Sequence, residues 1–273
     1  MSRRSAAITI NGALLAIALI TLCPLLWMVS VSFMRPGEAS SFPPPFLPAQ
    51  ATLANYRELF AQTGMGRHFA NSLFLATSAT ALSLLFNVSA GYAFAKLAFA
   101  GRDRVFRVLL GALIIPGQVA MIPLFLMLKQ IGLVNTYAGV LIPTMANVFG
   151  IFLVRQYAMS IPDELLEAAR VDGAGEVRVF RSIVLPALGP ILVTLAIFTF
   201  LGSWNDFLWP LIVLGDDKLQ TLPVALAGLS REHVQDSELM MAGSVVTLLP
   251  VLALFLVLQR YYIQGLLAGS VKG

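Results

Sequence analysis

Long runs free of Asp, Glu, Lys and Arg restrict this chain more than any other feature. Six occur, at 5–34, 69–95, 108–128, 130–154, 182–205 and 239–259, each at least 21 residues long. An α-helix rises about 1.5 Å per residue, so about 20 apolar residues cross the roughly 30 Å hydrocarbon core of a bilayer. The chain is 58% apolar and 12% charged, where a soluble domain carries roughly a quarter charged residues. Too few polar side chains remain to cover a water-facing surface. The expectation is an all-α polytopic membrane protein, one domain over residues 1–273, with six transmembrane helices near 8–33, 70–95, 107–128, 136–157, 188–213 and 240–261. A seventh uncharged stretch, 39–56, holds Pro43, Pro44, Pro45 and Pro48. Proline lacks an N–H and breaks a helix, which lipid does not accommodate, so this stretch reads as a loop.

Loop charges give an orientation. With the N-terminus inside, inner segments hold Arg3, Arg4, Lys96, Arg102, Arg104, Arg107, Arg155, Arg170, Arg178, Arg181, Arg260 and Lys272. Outer segments hold Arg35, Arg57, Arg67, Lys129, Lys218 and Arg231, which is half as many in longer loops. The positive-inside rule therefore predicts both termini in the cytoplasm. Trp27, Trp204 and Trp209 then fall near outer ends, and Tyr92, Tyr157, Tyr261 and Tyr262 near inner ends, as interfacial belts require. The net charge of +4 reflects this topology, and no basic stripe points to nucleic acid. Arg3 and Arg4 precede an apolar run too long for a signal peptide and without a small-residue cleavage site, so the first span is expected to stay uncleaved. Proline occurs in five of the six spans, at Pro24, Pro116 and Pro123, Pro143, Pro210 and Pro250, and reads as ordinary kinks. No internal repeat is visible, which weakens a carrier built from two related halves.

One inner loop, 160–186, has its own character. Ser160, Pro162 and Asp163 form a helix-start pattern with Ser160 as N-cap, and Asp163, Glu164 and Glu167 suit the positive end of the helix dipole. Leu165, Leu166, Ala168 and Ala169 give an apolar, small-residue surface, and Gly173 and Gly175 end the helix. A second amphipathic run, Val177, Val179, Phe180, Ile183 and Val184, precedes Leu185 and Pro186. A short capped helix outside the membrane and joined to the fifth span suits a lever pushed by a soluble partner. It equally suits an interfacial helix resting on the bilayer, and spacing alone leaves both open.

Glu167-Ala-Ala-x-x-Asp172-Gly173-Ala174, followed by Phe180-x-x-Ile183-x-Leu185-Pro186-x-x-x-Pro190, closely resembles the EAA motif of permease subunits of bacterial ABC importers. Other stretches resemble the carbohydrate-uptake branch, in family order. They are Asn55-Tyr56 with Leu59-Phe60, Asn71-Ser72-Leu73, Trp204-Asn205-Asp206-Phe207 and the tail from Gln264 to Gly273. Six spans and a long outer loop before the last resemble the shorter permease of maltose-type systems. The resemblance implies an inner-membrane complex in which a second permease shares the solute path. It also implies a dimer of ABC ATPase subunits docked on the loop and an extracytoplasmic solute-binding protein delivering cargo. Glu167, Ala168, Ala169, Asp172, Gly173 and Ala174 would couple to the ATPase. Independently, the chain holds no G-x-x-x-x-G-K-[ST] phosphate loop, so ATP hydrolysis is expected in a partner chain.

Polar residues within spans are the candidates for a solute path. Asp206 is the single carboxylate in 182–215, and it reads either as path lining or as a carboxylate at headgroup depth beside Trp204 and Trp209. Gln118, Asn147, Asn87 and Asn205 would hydrogen-bond solute hydroxyls or satisfy neighbouring helices. His68 and His233 sit in outer loops without ligand-like partners and read as solvated surface, and Cys23 is the sole cysteine, so no metal, cofactor or catalytic group is expected. The reading is a sugar-class permease subunit. Glycerol phosphodiester or polyol cargo is the alternative within the same mechanism, and a stand-alone secondary carrier the alternative outside it.

Overall fold

The computed structural model describes residues 3–232 and 236–270; His233 and the tail residues 271–273, with Lys272, lie outside them. Among the described residues all regular structure is helical. In chain order the helices are α1 (Arg3–Ser32), α2 (Ala54–Gln62), α3 (Met65–Lys96), α4 (Arg102–Ala112), α5 (Gly117–Gln130), α6 (Tyr137–Leu141) and α7 (Val148–Ala158). Then follow α8 (Asp163–Val171), α9 (Glu176–Val179), α10 (Leu185–Ala187), α11 (Gly189–Trp204), α12 (Leu208–Val213), α13 (Leu222–Glu232) and α14 (Ser237–Ser270). Short 3-10 turns occupy Ile142–Thr144 and Asp217–Leu219, and a π-helical stretch, Phe180–Val184, lies between α9 and α10.

Among the described residues, three helices are long and apolar enough to cross a membrane alone, within α1, α3 and α14. Three more spans exist if each bent pair is one crossing: α4 with α5 at 103°, α6 and its 3-10 turn with α7 at 40°, and the segment from Glu176 to Ala187 with α11 at 78°. The prolines account for where two of the breaks fall. Pro116 sits immediately before α5, at the sharpest bend, and Pro143 lies in the 3-10 turn before α7. Each removes a ladder donor and disfavours a helical residue before it. Pro24, Pro123 and Pro250, by contrast, lie inside continuous helices.

The chain forms two compact units, 1–69 with 222–250 and 70–221 with 251–273, and the three divisions fall inside α3, at the start of α13 and inside α14. In the first unit, Asn55 explains how the proline-rich segment is fixed. Its buried carboxamide donates to the carbonyls of Ser32 (2.9 Å) and Met34 (2.8 Å), just where α1 runs out of helical partners. Tyr56 adds a hydroxyl contact to Ser32 at 2.8 Å. Residues 54–56, expected as loop, already belong to α2, and His68, expected as solvated loop surface, is buried within α3. Glu38 ties the segment together by accepting from Arg35 N (3.0 Å) and Ala49 N (2.6 Å), and those N–H groups, Ala49 first, hold its carboxyl below the usual range.

In the second unit one apolar core runs from the C-terminal half of α3 into the loop 160–186. It contains Val88, Tyr92, Val154, Ala158, Ile161, Leu166, Val179, Val184, Leu188, Ile191 and Leu195. Close approach of α3 to α7 is possible because residue 91 is glycine, where a Cβ would lie 2.6 Å from the Cβ of Val154. A second cluster gathers Leu75, Leu128, Val140, Trp209, Val213 and Leu214. It is tied by Asn71, whose amide donates to Lys218 O and Gln220 O at 2.9 Å each and whose oxygen accepts from Tyr137 at 2.8 Å.

Candidate functional site

The loop 160–186 is built around α8, and its end follows directly from the Asp-Gly-Ala sequence. Gly173 takes φ +82°, a left-handed conformation that costs a residue bearing Cβ. That turn lets Gly173 N bond Arg170 O and Ala174 N bond Ala169 O, both at 3.0 Å. These two reverse bonds form a Schellman motif and satisfy carbonyls the helix would otherwise leave open. Gly175 is not part of this stop. It is extended (φ −70°, ψ 161°) and its carbonyl accepts from Arg178 and Val179 at the start of α9. Nor does Ser160 cap the helix: α8 begins at Asp163 behind Pro162, and the Ser160 hydroxyl donates back to Tyr157 O at 2.7 Å.

The EAA residues divide by face. Leu166 is 1% exposed in the core, with Ala169 and Ala174 packed against it. Glu167, Ala168, Asp172 and Gly173 are exposed, beside Leu165 and an 87%-exposed Val171. The small residues let α8 lie close to the bundle, while the outward face pairs carboxylates with uncovered apolar surface.

Two clamps fix the loop to α3. At the α8 start, Lys96 donates to Asp163 Oδ1 (2.6 Å) and to Ile161 O (2.5 Å), with its own side chain only 5% exposed. The ammonium also sits at the negative end of α3. Beyond the α8 end, Glu176 accepts from Arg170 (2.7 Å to Nε, 3.4 Å to Nη2) and from the Tyr92 hydroxyl at 3.1 Å. The Arg170 hydrogen bond is the main cause that holds the Glu176 carboxyl below its usual range, against a smaller desolvation effect, and the same pair raises the Arg170 guanidinium. Tyr92 also packs on Phe180 with ring centroids 5.2 Å apart. Neither clamp is visible as a motif, because its partners stand 67 and 84 positions apart.

Farther along α3 the polar residues form a network bordering a cavity of about 370 Å³. Leu75 and Ala79 of α3, Thr144, Asn147, Thr199, Ser203, Asp206 and Thr221 are among the residues that line it. Asn147 caps α7 through Gly150 N (2.6 Å), and its own N–H donates to Asn87 Oδ1 at 3.0 Å. Asn87 donates to Ser83 Oγ (2.6 Å), and Ser83 meets Thr199 at 3.2 Å. Asn87 is fully buried, so it stands behind the cavity wall rather than on it. Asp206 is on the wall and accepts a long bond from Trp209 N at 3.4 Å. The structure therefore brings Asn147 and Asp206 together and supports Asn147 with Asn87. It does not bring Gln118 or Asn205 to this cavity. Gln118 is exposed in the first turn of α5, beyond the 103° break, and Asn205 donates back to Leu201 O at 2.9 Å. Thr199, Ser203 and Thr221 were not singled out in the sequence, since lone hydroxyls within apolar runs carry no spacing signal.

The family described as binding-protein-dependent transport system inner membrane component matches residues 87–267. The arabinooligosaccharide transport permease AraQ of Halalkalibacterium halodurans is 41% identical over 94% of this chain and 93% of its own. The osmoprotective-compound uptake permease GgtD of Synechocystis is 36% identical over 96% and 91%. Among solved structures, a bacterial ABC transporter involved in the import of the acidic polysaccharide alginate has a chain that superposes with a TM-score of 0.85. It shares 26% identity and covers 96% of this chain and 99% of that one. The chain belongs to the binding-protein-dependent transport system inner membrane components, the permease subunits of ABC importers.

Proposed function

We propose that this permease passes a sugar or sugar-like solute across the bacterial inner membrane in six crossings with both termini in the cytoplasm. A second permease completes the path, a dimer of ABC ATPases docks on the loop, and an extracytoplasmic binding protein presents the solute. The observation that carries the coupling role is α8 itself. It is sealed by a left-handed Gly173, clamped to α3 at Lys96 and Tyr92, and exposes Glu167, Ala168 and Asp172 beside uncovered Leu165 and Val171. A helix resting on the bilayer has no use for rigid attachment at both ends. A lever does.

In this reading Glu167, Ala168, Asp172 and Gly173 meet the ATPase, whereas Ala169 and Ala174 hold the lever against the bundle. Asn147 and Asp206 line the solute path, with Asn87 positioning Asn147. The arabinooligosaccharide and alginate proteins support carbohydrate cargo, and the osmoprotectant permease keeps polyol-like solutes as the second reading. The test is uptake by the importer reconstituted with its partner subunits, using a panel of arabinobiose, melibiose, lactose and glycerophosphodiesters. ATP-dependent uptake of a saccharide is the expected result. Uptake that persists in vesicles without an ATPase would mark a stand-alone carrier and overturn the importer reading.

A further inference from the structure

Among the described residues, the cavity bordered by α3, α7 and α11 is lined by one carboxyl group and no basic side chain. Its lining includes Asp206 and no Lys, Arg or His. Every ion pair among the described residues lies elsewhere, at Lys96–Asp163, Arg102–Asp103 and Arg170–Glu176. A carboxylate with several hydroxyls and an amide around it does not face hydrocarbon, because charges and dipoles inside a bilayer turn to a partner or to a water-filled cavity. Several of the polar groups there have capacity to spare. The oxygen of Asn147 is committed to Gly150 N, which leaves its NH2 as a donor. The Thr221 hydroxyl is 97% buried with its residue (3% exposed) and has no protein partner, although it borders the cavity. Buried polar atoms are rarely left unpaired, so Thr221 marks a place where something that hydrogen-bonds belongs. At about 370 Å³ the cavity is at the small end of the range for small-molecule sites.

We propose that this cavity is a saccharide subsite in which Asp206 acts as a charge filter, accepting neutral sugar rings and rejecting anionic ones. The inference rests on the importer reading. A carboxylate accepts hydrogen bonds from sugar hydroxyls, while Asn147 and Thr221 supply the donors that a ring or hydroxyl oxygen needs. A uronate or phosphate in the same place sets a second negative charge within a few ångströms of the first, with no cation to compensate. Repulsion between like charges at that distance and an effective dielectric of about 20 is about four times larger than in water.

The test uses the importer assembled with its partner subunits in nanodiscs without binding protein, so that no upstream screen selects the solute. Equilibrium binding is measured by saturation-transfer NMR for three isosteric series in both gluco and galacto form: the methyl glycoside, the uronate and the 2-amino sugar. In the unaltered protein the uronate is expected to bind at least about tenfold more weakly than the methyl glycoside, and the amino sugar at least as well. Asp206→Asn is expected to bring the uronate to within about threefold of the neutral ring, with Asp206→Ser as a smaller uncharged replacement. A uronate that binds the unaltered protein as well as the neutral ring overturns the filter, as does a gap that survives both substitutions. Failure of every probe to bind also overturns the subsite. If ATP-dependent saccharide uptake persists in that case, the permease reading stands while the filter falls; if no saccharide is taken up at all, both fall.

Discussion

Gly173 is the residue at which a single backbone angle sets the shape of the loop. A Cβ there would meet nothing within 4 Å, so the objection to a side chain is its φ of +82° and not its volume. The cost of about 1–2 kcal/mol for a β-branched residue in that region falls on the two reverse hydrogen bonds that stop α8. Gly173→Val is therefore expected to lower ATP-dependent uptake at least several-fold and to raise protease cleavage in the loop. Gly173→Asn, whose side chain tolerates the left-handed region, is expected to retain most of the uptake and of the loop's resistance to protease. If the two substitutions behave alike, the turn is not what matters. Asn87 poses the complementary case, a side chain whose partners are all internal. Asn87→Leu leaves the Asn147 N–H without its acceptor and places bulk against Gly150, where a Cβ would already lie 2.7 Å from the Asn87 nitrogen. A buried donor left unpaired costs about 1–3 kcal/mol, which is measurable as a lower unfolding temperature in detergent.

The elements turn these residues into a linkage. Leu75 and Ala79 touch the cavity, Ser83 and Asn87 carry the polar network, and Tyr92 and Lys96 hold the loop, all along the single helix α3. In the lever reading proposed above, a stroke received by α8 would be delivered to α3 as well as to α11. Asp163→Ala strips the counter-charge from an ammonium that is 5% exposed, whereas Lys96→Met removes the ammonium itself and leaves a carboxylate that is 73% exposed. Because an uncompensated buried charge costs more than an unpaired solvated one, Asp163→Ala is expected to be the more destabilising. Both should raise ATP hydrolysed per solute moved. The Arg170–Glu176 clamp carries a pH signature. Its folded carboxyl lies below the ordinary value of 4.5, so its contribution is complete above that pH and is lost only as pH falls through the lowered value. Loop protection in hydrogen exchange should be flat near neutrality and decline in acid, and Glu176→Gln should remove the decline. The sequence made α8 legible through local chemistry: an acidic first turn, small residues and a glycine stop. It did not reveal the clamps or Ser160's turn back to Tyr157. Those depend on which helices pack together, and Gly91 against Val154 decides that at a distance no local pattern records.

For the whole molecule, the bilayer is what made the fold readable. It demands uncharged runs of a fixed length, and α1, with 6% of its apolar window buried, shows how little of that surface the chain itself covers. What length and charge do not encode is where a crossing bends, because a proline such as Pro24 is absorbed within α1 while Pro116 stands at a 103° break. Orientation remains a matter of loop charge, and it can be tested directly. Cys23 is the one cysteine in the chain, so Cys23→Ala gives a background without thiols. Val171→Cys then reports on the loop and Phe46→Cys on the proline-rich segment, at positions that are 87% and 77% exposed. With both termini inside, a membrane-impermeant maleimide added to intact spheroplasts should label the cysteine at 46 and spare the one at 171, and inverted vesicles should give the opposite pattern. Adding the ATPase subunits to inverted vesicles should then protect position 171, because the uncovered face of α8 is the surface proposed for their docking, and leave labelling at a control position such as Val177→Cys largely unchanged. Labelling of position 171 from the outside would reverse the topology. Labelling from the inside that the ATPase never blocks would keep the topology and remove the docking face from α8.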